Sequence, residues 1–256
     1  MMYHEKDPSF YISVKKSKSD EYIVISCRST LISDYFILSA YEPKGSFRQF
    51  TPRNGPHEYS IEHFENKFYI LTNWEARNFK LMQTPQETTE LENWSTLIAH
   101  NSDTLLNSLQ VFNEHLVISQ RSNALTSLKI IHQKTGNYHE VSFDEPVYVV
   151  YPTTNTEFNT TKLRFRYSSL TTPSTIFEYD MNERRKKILK ETQLKISIEA
   201  GSIDCWKKYV GEDGISFGID VFGKSAPFKD IFEYFGLTVP NIVNKSKKLI
   251  KVKNDN

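Results

Sequence analysis

The stretch Tyr22-Ile-Val-Ile-Ser26 decides the fold, because its pattern returns three more times along the chain. Each copy is a short run of β-branched or aromatic residues that ends in a hydroxyl residue. The later copies are Phe68-Tyr-Ile-Leu-Thr72, His115-Leu-Val-Ile-Ser119 and Arg164-Phe-Arg-Tyr-Ser168. Runs of this composition are typical of strands, and successive copies are separated by slightly under 50 residues.

Further strands surround each copy. A polar turn follows it, and then a second apolar run: Tyr35-Phe-Ile-Leu38, Phe79-Lys-Leu-Met82, Leu128-Lys-Ile-Ile131 and Thr175-Ile-Phe-Glu-Tyr179. A weaker strand precedes each pair, as at residues 59–63 and 109–112, and another follows most pairs, as at residues 138–143. Each repeat is therefore predicted to contain four short strands.

A four-strand unit with this period predicts β-propeller blades, since the period lies between those of WD40 and kelch repeats. The alternative is an antiparallel sandwich, which also has evenly spaced strands, but a sandwich is not expected to repeat in four-strand units. We predict a mainly β protein, with a partial β-propeller of about four four-stranded blades over residues 1–193. Nothing indicates that the ring closes, so the two outer blades are expected to expose apolar faces and unpaired edges.

The chain changes character near Gln193, because six of its nine glycines lie in the last 63 residues. The order strand, helix, strand, helix, helix predicts a small α/β segment with parallel strands over residues 194–256. The first helix is expected over residues 203–210, after a strand that begins near Lys195, and the second strand over residues 215–220. Ser225 is the expected N-cap of the next helix, which should end at Gly236, and Thr238 that of the last.

Composition excludes several classes of function. The formal net charge is +1, so nothing steers the chain toward nucleic acid or anionic lipid. No segment approaches the roughly 20 apolar residues of a membrane span. The charged N-terminus does not match a secretory signal, so a cytoplasmic location is expected. Cys27 and Cys205 are too few for a disulfide framework and are interpreted as buried or idle thiols.

The stretch Leu163-Arg-Phe-Arg-Tyr-Ser-Ser-Leu-Thr-Thr-Pro-Ser-Thr175 closely resembles the propeller of oligopeptidase B-type serine peptidases of the prolyl oligopeptidase family. Other segments that agree in order and spacing are Asp7-Pro-Ser-Phe-Tyr-Ile-Ser-Val14, His57-Glu-Tyr-Ser60, Asn78-Phe-Lys-Leu81, Glu92-Asn-Trp94, Arg121-Ser-Asn-Ala-Leu-Thr-Ser127 and Phe143-Asp-Glu-Pro146. The resemblance covers residues 6 to 193. It implies the later blades of a seven-bladed propeller that covers an α/β-hydrolase domain and admits small peptides, which the family cleaves after Lys or Arg. The hydrolase domain, which carries the catalytic residues, has no counterpart in these residues.

Residues 195–250 look like the C-terminal end of transketolase. The motifs are Ser197-Ile-Glu-Ala-Gly201, Trp206-Lys-Lys-Tyr-Val-Gly211, Phe222-Gly-Lys-Ser-Ala-Pro227 and Phe235-Gly-Leu-Thr-Val239. In that family the thiamine diphosphate site is formed by upstream domains that have no counterpart here. No cofactor and no transketolase activity are therefore expected.

One motif could suggest catalysis. Gly214-Ile-Ser-Phe-Gly218 satisfies the G-x-S-x-G pattern of a hydrolase nucleophile elbow. An elbow needs a strand, then a sharp turn bearing the serine, then a helix, whereas Ser216 is predicted to lie inside a strand. The catalytic histidine should also follow the serine, yet all seven histidines lie at or before His139. We interpret the pattern as a coincidence and expect no catalytic, cofactor-binding or metal-binding residues.

The remaining candidates are interpreted as structural. His57 with His63, and His132 with His139, match no zinc pattern; His63 should lie along a strand and the others on the surface. Residues 184–187, Arg-Arg-Lys-Lys, are predicted to form a solvated turn. The lysines from Lys245 to Lys253 are expected on and beyond the last helix, where they complement its dipole.

Three hypotheses follow. The first is a non-catalytic remnant that is inactive alone and has low stability. The second is a module that pairs with a separately encoded propeller half and hydrolase domain, or binds another protein, through its open blade edges. The third is an independent four-bladed interaction domain. Neither nucleic acid nor membrane is an expected partner, and the sequence leaves the oligomeric state open.

Overall fold

Within the described residues, the N-terminal part of the chain forms four antiparallel sheets of four strands each. The computed structural model describes residues 3–53, 55, 57–190, 195–211, 214–221 and 223–254. The chain divides into two compact units, residues 1–189 and 190–256. Gln193 and Leu194, where the sequence changes character, lie outside the described residues.

The strands of each sheet follow one another in chain order, which is the up-and-down arrangement of a propeller blade. Blade 1 consists of β1 (Tyr11–Lys16), β2 (Tyr22–Arg28), β3 (Ser33–Ser39) and β4 (Arg48–Gln49). Blade 2 consists of β5 (Tyr59–Phe64), β6 (Lys67–Thr72), β7 (Lys80–Pro85) and β8 (Ser95–Ile98), with a 3-10 turn at Leu91–Asn93 before β8.

Blade 3 consists of β9 (Thr104–Val111), β10 (His115–Ser122), β11 (Leu125–His132) and β12 (Tyr138–Glu140). Blade 4 consists of β13 (Tyr148–Pro152), β14 (Lys162–Ser169), β15 (Thr175–Asp180) and β16 (Arg185–Lys190). The four repeated stretches are thus the second strands of the four blades, and the predicted fold class is confirmed.

Three apolar clusters lie between successive blades, which explains why the second strands of blades 2 and 3 are apolar on both faces. In blade 3, Val117 joins the cluster shared with blade 4, whereas the neighbouring Ile118 joins the cluster shared with blade 2. Between blades 1 and 2, Phe50 meets Phe68 edge to face, with ring centroids 5.1 Å apart. Alternate side chains of a strand point to opposite faces, so a strand between two neighbours needs both sets apolar.

The outer face of blade 1 is covered over β2 and β3, contrary to the prediction, whereas Ile12 and Val14 of β1 stay exposed on the same face, as predicted. Ile25 and Leu38 point to this face and are buried. The ring of Tyr3 packs on Phe36 at 4.4 Å. A buried carboxylate, Asp34, accepts a hydrogen bond from Nε of Arg53 at 2.8 Å. Arg53 also pairs with Glu5 and so fastens the N-terminal segment over the blade.

The middle of the outer face of blade 4 is polar, which also corrects the prediction. In β14, Leu163 and Phe165 point toward blade 3, and the alternate residues are Arg164 and Arg166. Glu178 of β15 pairs with Nε of Arg164 at 3.2 Å and with Nζ of Lys187 at 3.1 Å. Apolar side chains remain exposed on the edge strands of the two outer blades: Tyr11, Ile12 and Val14 of β1, Val149 and Tyr151 of β13, and Ile188 and Leu189 of β16. A polar outer face is what terminal repeats need in order to stay soluble.

The second unit follows the predicted order. β17 (Ile196–Ile198) pairs in parallel with β18 (Ile215–Phe217), and the helices are α1 (Lys207–Val210), α2 (Phe228–Tyr234) and α3 (Val239–Asn254). Gly236 follows α2 with φ 71°, and its N–H donates to the carbonyl of Glu233. Such a left-handed residue after the last turn favours glycine.

Several boundaries in the second unit differ from the prediction. The first helix is a single turn, and the second strand ends at Phe217 rather than at residue 220. Pro227, not Ser225, occupies the N-cap position of α2, and it has no side chain that could cap the helix. The lysines at positions 245 to 253 all lie within α3, whose last turn ends at Asn254. Glu212, Asp213 and Phe222 lie outside the described residues.

The second unit buries little apolar surface. Val210 and Phe217 are the buried hydrophobic side chains among its described residues. Many large apolar side chains are exposed, including Ile198, Val221, Phe228, Tyr234 and Val239. Two short strands and three helices of this kind have a small core and correspondingly small stability.

None of the helices in the described part of the chain is long and apolar enough to cross a membrane.

Candidate functional site

Ser216 lies in the middle of β18, in register with Ser197 of the parallel strand β17. The hydroxyl of Ser197 donates to the hydroxyl of Ser216 at 2.8 Å. The backbone on both sides continues the strand pair, with the N–H of Glu199 donating to the carbonyl of Phe217 at 2.9 Å. No histidine follows Ser216 in the sequence. A strand serine bonded to another serine has neither the turn nor the base that activates a nucleophile.

The two glycines of the G-x-S-x-G pattern have a packing role. A Cβ on Gly214 would lie 2.4 Å from Cγ1 of Val210 and 2.5 Å from the carbonyl oxygen of Lys195. A Cβ on Gly218 would lie 2.3 Å from Cγ2 of Ile203 and 2.7 Å from the carbonyl oxygen of Gly201. Close approach of backbone to backbone therefore accounts for both glycines.

Replacing Gly214 or Gly218 by alanine is expected to destabilise the second unit by about 1–3 kcal/mol, because the added methyl group collides with backbone oxygens that cannot move independently. Hydrogen exchange of residues 196–219, followed by mass spectrometry, measures this change as faster exchange. Gly223→Ala is the control, because no heavy atom lies within 4 Å of its added Cβ. Equal exchange rates in all three variants would show that the glycines carry no packing constraint.

The histidines do not form a metal site in the described part of the chain, where no group of three or more His, Cys, Asp or Glu is suited to hold an ion. His63 lies in β5, as predicted. Its Nδ1 lies 2.8 Å from the hydroxyl of Ser19 and its Nε2 3.2 Å from Oε1 of Gln86. The prediction that His57 lies on the surface is wrong. Its ring is buried and stacks on Tyr59, with centroids 5.4 Å apart.

Stability is expected to fall as the pH drops through about 6.5. Burial lowers the pKa of His63, His115 and His139. The nearby His132 lowers the pKa of His115 further, and the charge of Arg184 does the same for His139. Below about pH 6.5 these histidines bind protons more readily in the unfolded chain than in the folded chain, so protonation favours unfolding. Urea unfolding at pH 7.5 and pH 5.5 measures the difference, which should shrink in a His115→Asn, His139→Asn double variant.

The pH range in which the histidines titrate is separate from the lower range in which carboxylates become protonated and destabilise the fold. The hydrogen bond from Lys162 to Asp180 lowers the pKa of that carboxyl to about 2, so its contribution is lost only below about pH 4. A chain as stable at pH 5.5 as at pH 7.5 would contradict the role given to the buried histidines.

The cysteines are unpaired. Cys27 is buried in blade 1 and Cys205 is exposed in the second unit. Burial raises the pKa of the Cys27 thiol, which keeps it protonated and unreactive at neutral pH.

The basic run at residues 184–187 is only partly a turn. Arg184 ends the turn with φ 57°, but Arg185, Lys186 and Lys187 belong to the edge strand β16. Lys186 donates to the carbonyl of Ser142 at 2.9 Å. The predicted turn was too long, because these three residues begin the fourth strand of blade 4.

A cavity of about 970 Å³ in the first unit, which we call the inner cavity, is large enough to hold a ligand. The innermost strands of all four blades contribute to it through Lys15 of β1, Glu62 of β5, Gln110 of β9 and Tyr151 of β13. Lys18 of the β1–β2 turn and Arg166 of β14 also line it. No motif in the sequence predicted that these residues form a site. The only signal was the basic run that contains Lys15, Lys16 and Lys18 at a strand end.

Two protein families match different parts of the chain. The prolyl oligopeptidase N-terminal β-propeller domain matches residues 1–192, and the transketolase-like C-terminal domain matches residues 152–238. The second range begins earlier and ends sooner than the predicted 195–250. In the structure, residues 162–190 form the antiparallel strands of blade 4, and the parallel pair begins only at Ile196.

Individual relatives agree with this division. Dipeptidyl aminopeptidase BI of Pseudoxanthomonas mexicana is 33% identical over 192 residues, covering 75% of this chain and 26% of that protein. Transketolase 2 of Vibrio vulnificus is 40% identical over 87 residues, covering 34% of this chain and 13% of that protein. The structure of oligopeptidase B from Trypanosoma brucei with covalently bound antipain, in its closed form, superposes with a TM-score of 0.68 at 26% identity, covering 74% of this chain and 28% of that one. The chain spans about a quarter of the length of the peptidases it matches.

Proposed function

The chain belongs to the prolyl oligopeptidase family through its N-terminal β-propeller, and from this premise we propose that it is a non-catalytic propeller module of an oligopeptidase B-like peptidase. The 256 residues supply later blades of the propeller that limits access to a hydrolase domain. They do not themselves cleave peptides. The transketolase-like residues after the blades add no catalytic function.

The observation that carries this proposal is the contrast between the two units. Residues 3–190 form four blades that match the family propeller. The serine pattern that could suggest catalysis lies instead in the second unit, where Ser216 is bonded to Ser197 inside a strand pair. Function must be argued from a site rather than from the fold, and the hydrolase chemistry of the family has no site among the described residues.

The proposal is tested with the purified chain and chromogenic amides that end in Arg or Lys, beside a mock purification from cells without the gene. The expected rate equals that of the mock sample, both for the chain and for Ser216→Ala. Saturable turnover above the mock sample would contradict the proposal. Loss of that turnover in Ser216→Ala would assign it to the β18 serine, and its survival would assign it to another residue of the chain.

A second candidate function is pairing with a separately encoded propeller half and hydrolase domain. The apolar outer face of blade 1 favours it, because Ile25, Phe36 and Leu38 are covered mainly by a short N-terminal segment and a loop near Gly45. A neighbouring blade could take the place of that segment, as blades do in a closed propeller.

Co-expression with a neighbouring reading frame that encodes earlier blades and a hydrolase domain tests this pairing. The expected result is a complex that co-purifies and cleaves the Arg-ended substrate. Separate elution of the two chains, with no gain of activity on mixing, would contradict it.

A further inference from the structure

The inner cavity contains two cationic side chains that are not neutralised by any carboxylate of the described residues within ion-pair distance. Two of its lysines are neutralised. Nζ of Lys15 lies 2.9 Å from Oε1 of Glu62, and Nζ of Lys16 lies 2.9 Å from Oδ1 of Asp20. These pairs account for both carboxylates that line the cavity. Lys18 and Arg166 remain, so the cavity has a net positive charge.

Lys18 is an ammonium group held in the wall of the cavity. Its Nζ lies 3.2 Å from the centroid of the Phe112 ring and has no hydrogen-bond partner in the described part of the chain. Burial lowers the pKa of Lys18 to about 8, with Glu62 opposing part of this change. A charge that is solvated only by an aromatic face projects a strong field into the cavity, because the protein interior screens it less than water does.

Arg166 of β14 lines the cavity, and its guanidinium makes one hydrogen bond within the described part of the chain. Its Nη1 donates to the hydroxyl of Ser174 at 2.9 Å. A guanidinium has five N–H donors in a fixed fork, which matches the two oxygens of a carboxylate. Its cross-strand neighbour Tyr151 adds an exposed aromatic ring beside it.

The amide side chains of the cavity wall are already occupied by the scaffold. Nε2 of Gln110 donates to the carbonyl of Thr153 at 3.0 Å, and Nδ2 of Asn155 donates to Oε1 of Gln110 at 3.0 Å. These bonds tie blade 3 to blade 4 and hold the wall in place. The groups left to contact a ligand are therefore the Arg166 side chain, nearby threonine hydroxyls and the ring of Tyr151, while the buried ammonium of Lys18 acts through its charge alone.

We propose that the inner cavity binds an acidic peptide segment, with Arg166 in direct contact with a carboxylate and Lys18 attracting it from the wall. The volume of about 970 Å³ is at the upper end of that of small-molecule pockets and accommodates a few residues. The segment enters along β1 and β13, which are edge strands of blades 1 and 4 and pair with no other strand on their inner side. This binding goes beyond the proposed propeller role and does not require the separately encoded propeller half and hydrolase domain.

Fluorescence anisotropy of a fluorescein-labelled hexaglutamate peptide, titrated with the full chain, tests the proposal. Binding should weaken as salt is raised from 0.05 to 0.3 M, because the contact is ionic. Arg166→Gln should weaken it by about tenfold, the usual consequence of losing a charge-assisted hydrogen bond. Lys18→Met should weaken it by a smaller factor while leaving the circular dichroism spectrum unchanged, since methionine replaces the buried stem without its charge.

Matched controls keep the test specific to the cavity. Arg121→Gln removes an exposed arginine of blade 3, and Lys129→Met removes a lysine that lies 4.1 Å from the Tyr138 ring centroid; both are outside the inner cavity. Both should bind within about twofold of the parent. Equal weakening in the control and cavity variants, equal binding of hexaglutamine, or tighter binding of a thymidine oligonucleotide than of hexaglutamate would each overturn the proposal.

Discussion

Replacing Phe68 by alanine is expected to lower the free energy of unfolding of the first unit by about 3–5 kcal/mol. Phe68 is 0% exposed in β6, and its ring centroid lies 5.1 Å from that of Phe50, 4.9 Å from that of His63 and 5.1 Å from that of Tyr22. Removing the ring takes away contacts with both blade 1 and blade 2 and leaves a cavity that the rigid sheets cannot fill. The loss approaches the whole stability of a small domain.

Urea unfolding followed by tryptophan fluorescence measures this loss, because Trp94 belongs to the same cluster. Leu170→Ala is the control, since Leu170 is 80% exposed, and its change should stay within about 0.5 kcal/mol. A loss below about 1 kcal/mol in Phe68→Ala would show that blades 1 and 2 do not depend on their shared cluster.

Replacing Asp34 by alanine is expected to cost about 3 kcal/mol and to release the N-terminal segment from blade 1. The carboxylate is 1% exposed and accepts bonds from Nε of Arg53 at 2.8 Å, Nε2 of Gln49 at 3.1 Å and the N–H of Tyr35 at 2.9 Å. Its removal leaves these donors without their acceptor. We expect the low end of the range for broken buried pairs, because the side chain of Arg53 is 36% exposed and keeps Glu5 as a partner.

Hydrogen exchange separates the two parts of this prediction. Amides of residues 5–10 should exchange faster in Asp34→Ala, together with those of β3, while blade 4 should be unchanged. Asp103→Ala, in the exposed loop before β9, should match the parent in every segment. Unchanged protection of residues 5–10 would show that the Arg53 bridge does not hold the segment.

The blades could be predicted from the sequence because the repeat carries its own periodicity. The second strands of blades 1 to 3, such as residues 115–119, are apolar runs between polar turns, and four strands per repeat left few alternatives. The three inter-blade clusters follow from that arrangement, since both faces of an inner blade must be apolar.

The prediction of exposed apolar outer faces holds at the edge strands β1 and β13, and it was wrong for the middle of blades 1 and 4 for two different reasons. At blade 4 the signal was present, because Leu163-Arg-Phe-Arg-Tyr167 alternates apolar and basic residues and so indicates one polar face. At blade 1 no local pattern shows that Tyr3 packs on Phe36 or that Arg53 reaches Asp34. Such contacts depend on the tertiary fold.

The inner cavity could not be predicted because its residues come from four separate repeats. Lys18 and Phe112 are far apart in the sequence, and only the blade arrangement brings the ammonium group onto the ring. The G-x-S-x-G pattern shows the reverse case. The rule that a nucleophilic serine must lie on a sharp turn was sufficient to predict from the sequence that Ser216 is not part of a nucleophile elbow. The close contacts at Gly214 and Gly218 explain why the two glycines are present.

The most direct test of the central claim, that this is a propeller module without its own catalytic serine, is labelling with a fluorophosphonate probe of activated serines. The native chain is incubated with the probe and analysed by intact mass and peptide mapping, beside Ser216→Ala. We expect no adduct on either chain, because the Ser216 hydroxyl is bonded to Ser197 and none of the seven histidines follows Ser216. A stoichiometric adduct that heat denaturation abolishes, at Ser216 or at any other serine, would contradict it.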